Sequence, residues 1–189
     1  MKLKLNTDNP FDESGALEDE APRAVYTPPW SLVIDSREQA PFRFTRIPAT
    51  AKEGGGYVVP RLTTGIALPT GDYSIAGLES AVCIERKSLS DLFGSVGRER
   101  DRFEREFQRM AEMQWSAIVV ESHESDIELR PPRGTKILPS TILGTIESWS
   151  IRYSRTHWFF PGDRRRAEIR TYRLLARFWE SVSRDKESA

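Results

Sequence analysis

From residue 31 onward, the chain alternates short apolar runs with charged and turn-forming segments. Apolar runs of this length, bounded by turn-forming residues, predict buried strands. Residues 64–75 and 82–87 flank the turn-forming segment 76–80 and together predict a hairpin. The predicted strands are 32–34, the two arms of that hairpin, 116–121 and 158–160.

Three longer segments repeat their apolar residues every three or four positions, which is the period of an amphipathic helix. These segments are 98–114, 140–153 and 164–184. Three strands therefore come first, and helices then alternate with the remaining strands. This order predicts an α/β fold in which a mixed sheet is flanked by helices.

Residues 1–29 show no sustained period and contain four prolines. They carry three basic and six acidic residues, a net charge of −3, although the whole chain sums to zero. Such a segment predicts an acidic flexible tail over 1–29, followed by one domain over 30–189. An additional strand at the sheet edge is the alternative for this segment.

Composition excludes several classes of protein. No apolar run reaches the roughly 18–20 residues that cross a membrane, and no secretory signal is evident. The single cysteine, Cys83, excludes an intrachain disulfide and suggests packing rather than chemistry. The two histidines have no partner at metal-binding spacing, so a Cys/His zinc site is also excluded. Any metal must then be a hard cation bound by carboxylates.

The most informative pattern is Gly71-Asp72, then twelve residues, then Glu85-Arg86-Lys87. Side chains of a strand alternate between its two faces, so Glu85 and Lys87 share one face and Arg86 points to the other. Asp72, in the first arm of the hairpin, can bring a second carboxylate to the same place.

Asp35 and Glu38 close the first predicted strand and can add further carboxylates. Gathered carboxylates repel one another unless a cation lies between them. Mg²⁺ or Mn²⁺ suits an all-oxygen site that keeps several waters and binds substrate phosphate. Lys87 can hold the attacking water or neutralise charge at phosphorus, which suits metal-assisted phosphodiester hydrolysis. An ordinary salt-bridge cluster of Asp72, Glu85 and Lys87 is the alternative.

The spacing Asp-x12-Glu-x-Lys fits the PD-(D/E)xK nuclease superfamily. The longer series VIDSRE at 33–38, GDYSI at 71–75 and ERKSLSD at 85–91 closely resembles the XPF-type structure-specific endonucleases, whose signature is GD…ERKxxxD. Gly97-Arg98 and the strand ending at Glu121 also resemble that family. The resemblance spans residues 31–179 and implies a restriction-endonuclease-like fold, a divalent metal, and branched or junction-containing DNA as substrate.

The resemblance also implies roles for individual residues. Asp72 and Glu85 would be the core metal ligands, with the Arg86 main-chain carbonyl as a third and Asp35 as an additional candidate. Lys87 would assist the water or the transition state, and Glu38 would complete the catalytic set. The side chains expected to support these groups are Arg37, Arg86 and Asp91.

The printed sequence ends ten residues after Trp179 and lacks the C-terminal tandem helix-hairpin-helix domain and the helicase portion of longer relatives. It is therefore similar to the short stand-alone forms of bacteria and phages. This implies a cytoplasmic, nucleoid-associated protein of a bacterium or a phage-infected cell. The expected function is a DNA endonuclease of repair or recombination. The alternatives are a nuclease that acts on other DNA ends and an inactive DNA-binding partner subunit.

Four arginines, Arg98, Arg102, Arg105 and Arg109, follow one another at helical spacing. One interpretation is a ridge of guanidinium groups along a DNA backbone, with Arg98, Arg102 and Arg105 as DNA-binding residues. The other is pairing within the helix, from Glu99 to Arg102 and from Asp101 to Arg105. Both interpretations stay open at this point.

The last predicted helix has a broad apolar face, because Leu174 and Phe178 flank the stripe of Tyr172, Leu175 and Trp179. A face that is only partly covered predicts association, and XPF-type domains pair through this region. We therefore expect a homodimer or a partner-dependent protein. Complete burial of this face in the core is the alternative.

Three further features have more than one interpretation. Arg86 either pairs with a carboxylate such as Asp91 or contacts a phosphate, and Asp91 either caps a helix or supports the site. Gly54–Gly56 form a plain loop or a flexible lid over DNA. Arg164–Arg166 are expected to be a solvated helix start.

Overall fold

The structure of the chain is a computed structural model that describes residues 24–187. Residues 1–23, the larger part of the predicted acidic tail, lie outside the described residues. No helix within 24–187 combines the length and the low polarity needed to cross a bilayer.

Nine strands are found among these residues. They are β1 (Val25–Tyr26), β2 (Ser31–Asp35), β3 (Ile47–Pro48), β4 (Tyr57–Val58), β5 (Arg61–Ile66), β6 (Tyr73–Ile75), β7 (Val82–Lys87), β8 (Trp115–Val120) and β9 (Thr156–Phe159). The described helices are α1 (Leu89–Val96), α2 (Arg100–Ala111), α3 (Asp126–Leu129), α4 (Pro139–Arg152) and α5 (Arg164–Glu187), with a 3₁₀ turn over Ala51–Glu53.

Six strands form the central sheet in the order β5-β2-β6-β7-β8-β9. Strand β6 runs antiparallel to both its neighbours, β2 and β7, whereas the remaining pairs are parallel. The fold is therefore a mixed sheet flanked by helices, which confirms the predicted fold class. The hairpin of β6 and β7 and the parallel crossovers after β7 and β8 give it this mixed character.

Each face of the sheet carries its own hydrophobic core. Val82 and Ile84 of β7 belong to a core that includes Tyr172 and Leu175 of α5. Cys83 belongs to the other core, where α1, α2 and α4 cover the sheet. This alternation confirms the period-two pattern predicted for residues 82–87 and confirms that Cys83 is a packing residue.

A smaller sheet in the order β1-β4-β3 lies beside the main one. Val25 and Tyr26 pair with Tyr57 and Val58, so the six described residues of the predicted tail, 24–29, include a strand. This strand belongs to the small sheet and not to the edge of the main one, and the flexible tail over 1–29 stays a prediction.

The Gly54–Gly56 loop connects β3 to β4 within this small sheet. All three glycines have positive φ, and a Cβ on Gly56 would lie 2.2 Å from the Ala24 main-chain oxygen. Only glycine fits so tight an approach of two backbones. Gly56 is thus constrained by its contact with Ala24, and the lid over DNA stays a prediction.

Two elements differ from the sequence prediction. The helix expected over 98–114 is α2, which begins at Arg100, whereas the separate helix α1 before Gly97 was not predicted. Strand β5 pairs with β2 and not with the hairpin, so the first arm predicted over 64–75 is shorter than expected. A run as polar as Arg61–Ile66, which is mostly exposed at the sheet edge, carries little apolar signal of its own.

Candidate active site

Gly71 sets the position of the first predicted carboxylate. Its φ of +76° is unfavourable for residues with a side chain, and a Cβ there would lie 3.0 Å from the Cβ of Cys83. The turn lets the Asp72 N–H donate to the Ile84 carbonyl at 2.8 Å. The Gly-Asp pair is therefore a geometric requirement for bringing the Asp72 side chain against β7.

Asp72 and Glu85 lie opposite each other on neighbouring strands. Tyr73 pairs with Ile84 in the antiparallel ladder, and the next step of that register brings Asp72 against Glu85. The Arg86 main-chain N–H donates to Oδ2 of Asp72 at 2.7 Å, so the aspartate side chain continues the ladder where β6 ends.

Lys87 and Glu85 share one face of β7, as the strand pattern predicts. Lys87 Nζ lies 2.8 Å from Glu85 Oε1, and both residues are buried. The ammonium also lies 4.5 Å from the centre of the Phe103 ring on α2. Burial alone lowers the pKa of Lys87, but the charges of Glu85 and Glu106 outweigh it, so the pKa is raised and Lys87 stays protonated.

The surroundings of Asp72 destabilise the charged form of its carboxyl group. Burial, and then the charge of Glu85, raises its pKa to about 9, even though the Arg86 N–H acts in the opposite direction. Two facing carboxylates that share a single nearby ammonium thus remain partly uncompensated.

Asp35 lies at the edge of the same cleft, but its oxygens have protein partners. Arg37 Nε donates to Oδ2 at 2.9 Å, and the Leu68 N–H lies 3.4 Å from Oδ1. Burial raises the pKa of Asp35, yet the hydrogen bonds and charge of Arg37 outweigh it and lower the pKa. Arg37 supports Asp35, as the sequence suggests, and no contact in the structure brings Asp35 to Glu85.

Glu38 and Arg86 form an ion pair at the other side of the cleft. Arg86 Nη2 lies 3.2 Å from Glu38 Oε1, and Arg86 Nη1 lies 3.0 Å from Glu121 Oε1. Arg86 thus pairs with carboxylates, as one interpretation predicts, although they are Glu38 and Glu121 and not the example Asp91. Arg86 points to the opposite face from Glu85, as predicted, and its partners lie just after β2 and β8.

Asp91 lies in the first turn of α1, and its N–H donates to Oγ of Ser88, the residue that caps the helix, at 3.1 Å. A carboxylate in the first turn of a helix is stabilised by the helix dipole. Ser88 and not Asp91 caps the helix, whereas the place of Asp91 in the lining of the cleft is compatible with support of the site.

Glu106 on α2 belongs to the site although the sequence pattern did not identify it. Burial and the nearby charge of Glu85 raise the pKa of Glu106 to about 7. Helix periodicity places Glu106 next to the buried Phe103 and Phe107, which is the one signal that could have indicated an inward carboxylate.

Thr70 also lies in the cleft, with a buried hydroxyl that has no hydrogen-bond partner among the described residues. Thr70 directly precedes Gly71, so the chain turn that positions Asp72 also buries this hydroxyl. Buried polar atoms of native proteins are normally satisfied, so a ligand or water is expected at this point.

The four predicted arginines do not form one stripe. Arg98 precedes α2, so the helical spacing is broken there, whereas Arg102 and Arg109 line the cleft and Arg105 is exposed outside its lining residues. Arg102 pairs with Glu99 at 3.1 Å, which is the helix-internal alternative. DNA binding by Arg98, Arg102 and Arg105 stays a prediction.

Arg164 and Arg165 begin α5 and are exposed, as predicted for a solvated helix start, and they also bind main-chain carbonyls. Arg164 donates to the Ala40 carbonyl at 2.6 Å and shares Glu121 with Arg86, at 2.7 Å. Arg165 donates to the Thr45 and Arg46 carbonyls at 3.0 and 2.6 Å. The start of α5 is therefore hydrogen-bonded to the main chain of the segment that follows Glu38.

The cleft, about 500 Å³ in volume, is suited to a hard divalent cation. Within residues 24–187 no three His, Cys, Asp or Glu side chains are arranged as a complete metal cage. Asp72 and Glu85 supply two carboxylates, and the Arg86 carbonyl points to the same strand edge as the Arg86 N–H that binds Asp72. Two carboxylates and one carbonyl leave positions for water and phosphate, which is how Mg²⁺ is usually bound.

Comparisons with known proteins agree with this geometry. Residues 34–169 match the ERCC4 domain family. Among solved structures, the chain is similar to XPF from Aeropyrum pernix, with a TM-score of 0.59 and 18% identity over 83% of this chain and 69% of that chain. A comparison with curated proteins gives no significant match.

The family match covers well over half of the sequence, so the chain belongs to the ERCC4 domain family. Its fold is that of an XPF-type nuclease domain. The predicted resemblance is thereby confirmed.

The raised pKa of Asp72 predicts how stability changes with pH. Its pKa is about 9 in the folded protein and about 4 in the unfolded chain, so the folded state holds a proton that the unfolded chain loses between these values. Without metal, the free energy of unfolding should fall as the pH rises from 6 to 8, by up to about 1 kcal/mol per pH unit. In Asp72→Asn this dependence should be weaker.

Urea unfolding in excess chelator at several pH values measures this difference. Asp91→Asn, which changes an exposed carboxylate of the cleft, is the control and should keep the wild-type dependence. An identical pH dependence in wild type and Asp72→Asn would show that Asp72 is not destabilised by its surroundings.

Proposed function

We propose that this nuclease domain is a metal-dependent DNA endonuclease that hydrolyses phosphodiester bonds at branched or junction-containing DNA, in repair or recombination. The observation that carries the proposal is the group of Asp72, Glu85 and Lys87, in which two opposed carboxylates lie beside one ammonium and Glu85 and Lys87 are buried. That group lies within the matched ERCC4 region. A surface salt-bridge cluster would be expected to be exposed, whereas Glu85 and Lys87 are buried and Asp72 is half-buried.

Asp72, Glu85 and the Arg86 carbonyl are the groups that would hold Mg²⁺ or Mn²⁺. The bound cation would polarise the phosphodiester and make water more acidic. Asp72 keeps its orientation through the Arg86 N–H, and Glu85 through Lys87. Both ligands are therefore oriented by the protein, which reduces the reorganisation needed when DNA arrives.

Lys87 is the candidate group for the transition state. It cannot bind a cation, but its three donors exceed the single bond that it makes to Glu85 Oε1. The remaining N–H groups can contact the attacking water or a phosphate oxygen whose charge grows during the reaction. Packing against the Phe103 ring fixes the ammonium in a largely dry environment, where such a contact is strongest.

Two other functions remain as outcomes of experiment. An inactive DNA-binding subunit would show no cleavage, although each acidic and lysine position of the signature is present. A nuclease specific for other DNA ends would cut linear duplexes in preference to branched ones. The same panel of substrates distinguishes all three functions.

The metal requirement is tested by cleavage of labelled DNAs of different geometry: duplex, flap, fork, splayed arm and four-way junction. With Mg²⁺ or Mn²⁺ we expect at least one branched DNA to be cut, and in excess chelator none. Glu85→Gln at the same metal concentration is the matched control and should be inactive, because one metal ligand is lost. Equal cleavage in chelator would overturn the metal-dependent mechanism, and cleavage of linear ends alone would overturn the substrate class.

Lys87→Ala separates binding from chemistry. Transition-state contacts affect the rate more than ground-state affinity, and a proton-transfer or charge-stabilising group is typically worth about 10²–10⁴-fold. We expect cleavage at least about 100-fold slower at saturating metal, with DNA affinity nearly unchanged. Lys87→Arg should recover little of the cleavage rate. A planar guanidinium is larger than the ammonium group that lies between Glu85 and the Phe103 ring.

Single-turnover cleavage and a binding isotherm on the same DNA measure these two quantities. If Lys87→Ala lost affinity in proportion to rate, Lys87 would be a DNA-backbone contact and its catalytic assignment would be wrong.

A homodimer through α5 is a further part of the proposal. Tyr172 and Leu175 are buried in the core, whereas Leu174, Phe178 and Trp179 are only partly buried against it. An apolar strip of this kind can associate with a second copy. Sedimentation at micromolar concentration should show a species of twice 21.6 kDa, and a clean monomer would reject the homodimer.

A further inference from the structure

A second groove, about 450 Å³ in volume, runs beside the acidic cleft. The two share α1 as a common wall: Ser90 and Gly94 line this groove, and the next residues, Asp91 and Ser95, line the cleft. Successive residues of a helix point about 100° apart, so the two openings lie on adjacent sides of one helix. A ligand that lies in the cleft can extend across α1 into the groove.

The groove is basic. Arg98, Arg133 and Lys136 line it, and no Asp or Glu is among its lining residues. Within residues 24–187 none of these three cations forms an ion pair, whereas Arg37, Arg86 and Arg102 beside the acidic cleft all do. Three unneutralised cations around one groove form a binding surface for anions.

The loop that carries Arg133 and Lys136 has a defined shape. The Thr135 N–H bonds to the Pro132 carbonyl at 3.3 Å across a turn in which Gly134 has a φ of +76°. The Thr135 hydroxyl accepts from the Ile137 N–H at 3.3 Å. Arg133 and Lys136 therefore project from an ordered turn.

The Ile137 side chain packs this loop against Gly97, which lies between α1 and α2. A Cβ on Gly97 would lie 2.3 Å from Ile137 Cδ1, so the side chain packs directly over the glycine. Arg98 is the next residue. The contact fixes the two loop cations relative to Arg98, and it also gives Gly97 a packing reason to be glycine.

We propose that this groove binds the phosphate backbone of the DNA substrate, on the side of α1 adjacent to the cleft, through Arg98, Arg133 and Lys136. The proposal rests on the proposed function, since the ligand is the same DNA. The groove is lined by long basic side chains and by no Asn or Gln, which favours phosphate contacts over the reading of bases. The groove would therefore add affinity irrespective of sequence and hold the DNA strand beyond the cleavage site.

The salt dependence of DNA binding tests this inference. Each phosphate contact that is lost lowers the slope of log affinity against log salt by about 0.7–0.9. The double variant Arg133→Ala/Lys136→Ala should lower it by about 1.4–1.8 on a labelled branched DNA, and Arg98→Ala added to it by about 0.7–0.9 more. Fluorescence anisotropy in excess chelator measures affinity without cleavage, and melting temperatures check that each variant folds.

Lys52→Ala is the matched control. Lys52 is an exposed lysine beside the separate groove around Trp30 and Tyr172, so its loss should leave the slope as in the wild type. An unchanged slope in the folded double variant would overturn the groove as a DNA site. A fall of the same size in Lys52→Ala would overturn it also, since any surface cation would then serve.

The failure of this inference can be told from the failure of the proposed function. If no DNA is cut under any metal condition but the slope falls as expected, the groove stands and the endonuclease proposal fails. If cleavage is normal but the slope does not change, the groove alone fails.

Discussion

The site depends on placing Asp72 and Glu85 opposite each other in a largely buried position. Two carboxylates in this arrangement repel, as the raised pKa of Asp72 records. The fold tolerates the pair because Lys87 neutralises part of the charge and the Arg86 N–H holds Asp72. The hydrophobic cores on both faces of the sheet supply the folding free energy that offsets this repulsion. A cation between the two carboxylates would remove the remaining repulsion. The repulsion in the metal-free protein would therefore favour the binding of a metal.

Much of this arrangement could be predicted from the sequence because it is local. Strand alternation is enough to place Glu85 and Lys87 on one face and Arg86 on the other. The Gly-Asp pair and the hairpin bring in Asp72. The apolar runs also predicted β2, β7, β8 and β9 closely, since buried strands of parallel pairs are nearly continuous in apolar residues.

The remainder depends on tertiary contacts that no local pattern contains. Glu106 reaches Glu85 because α2 packs across the end of β7, and Glu121 meets Arg86 because β8 lies beside it. Helix α1 was not predicted, because two serines and a glycine among its eight residues favour turns. Strand β5 was missed for a different reason, since an exposed edge strand has few apolar residues.

The contacts made by Arg164 and Arg165 have a consequence for how this protein can change during evolution. Both arginines bind main-chain carbonyls of the segment after Glu38, and every amino acid offers the same carbonyl. Exposed positions there, such as Arg43 and Thr45, can therefore accept substitutions while the path of the chain is kept. The two arginines have no such freedom. Related sequences should thus vary at the loop and remain constant at the helix that holds it.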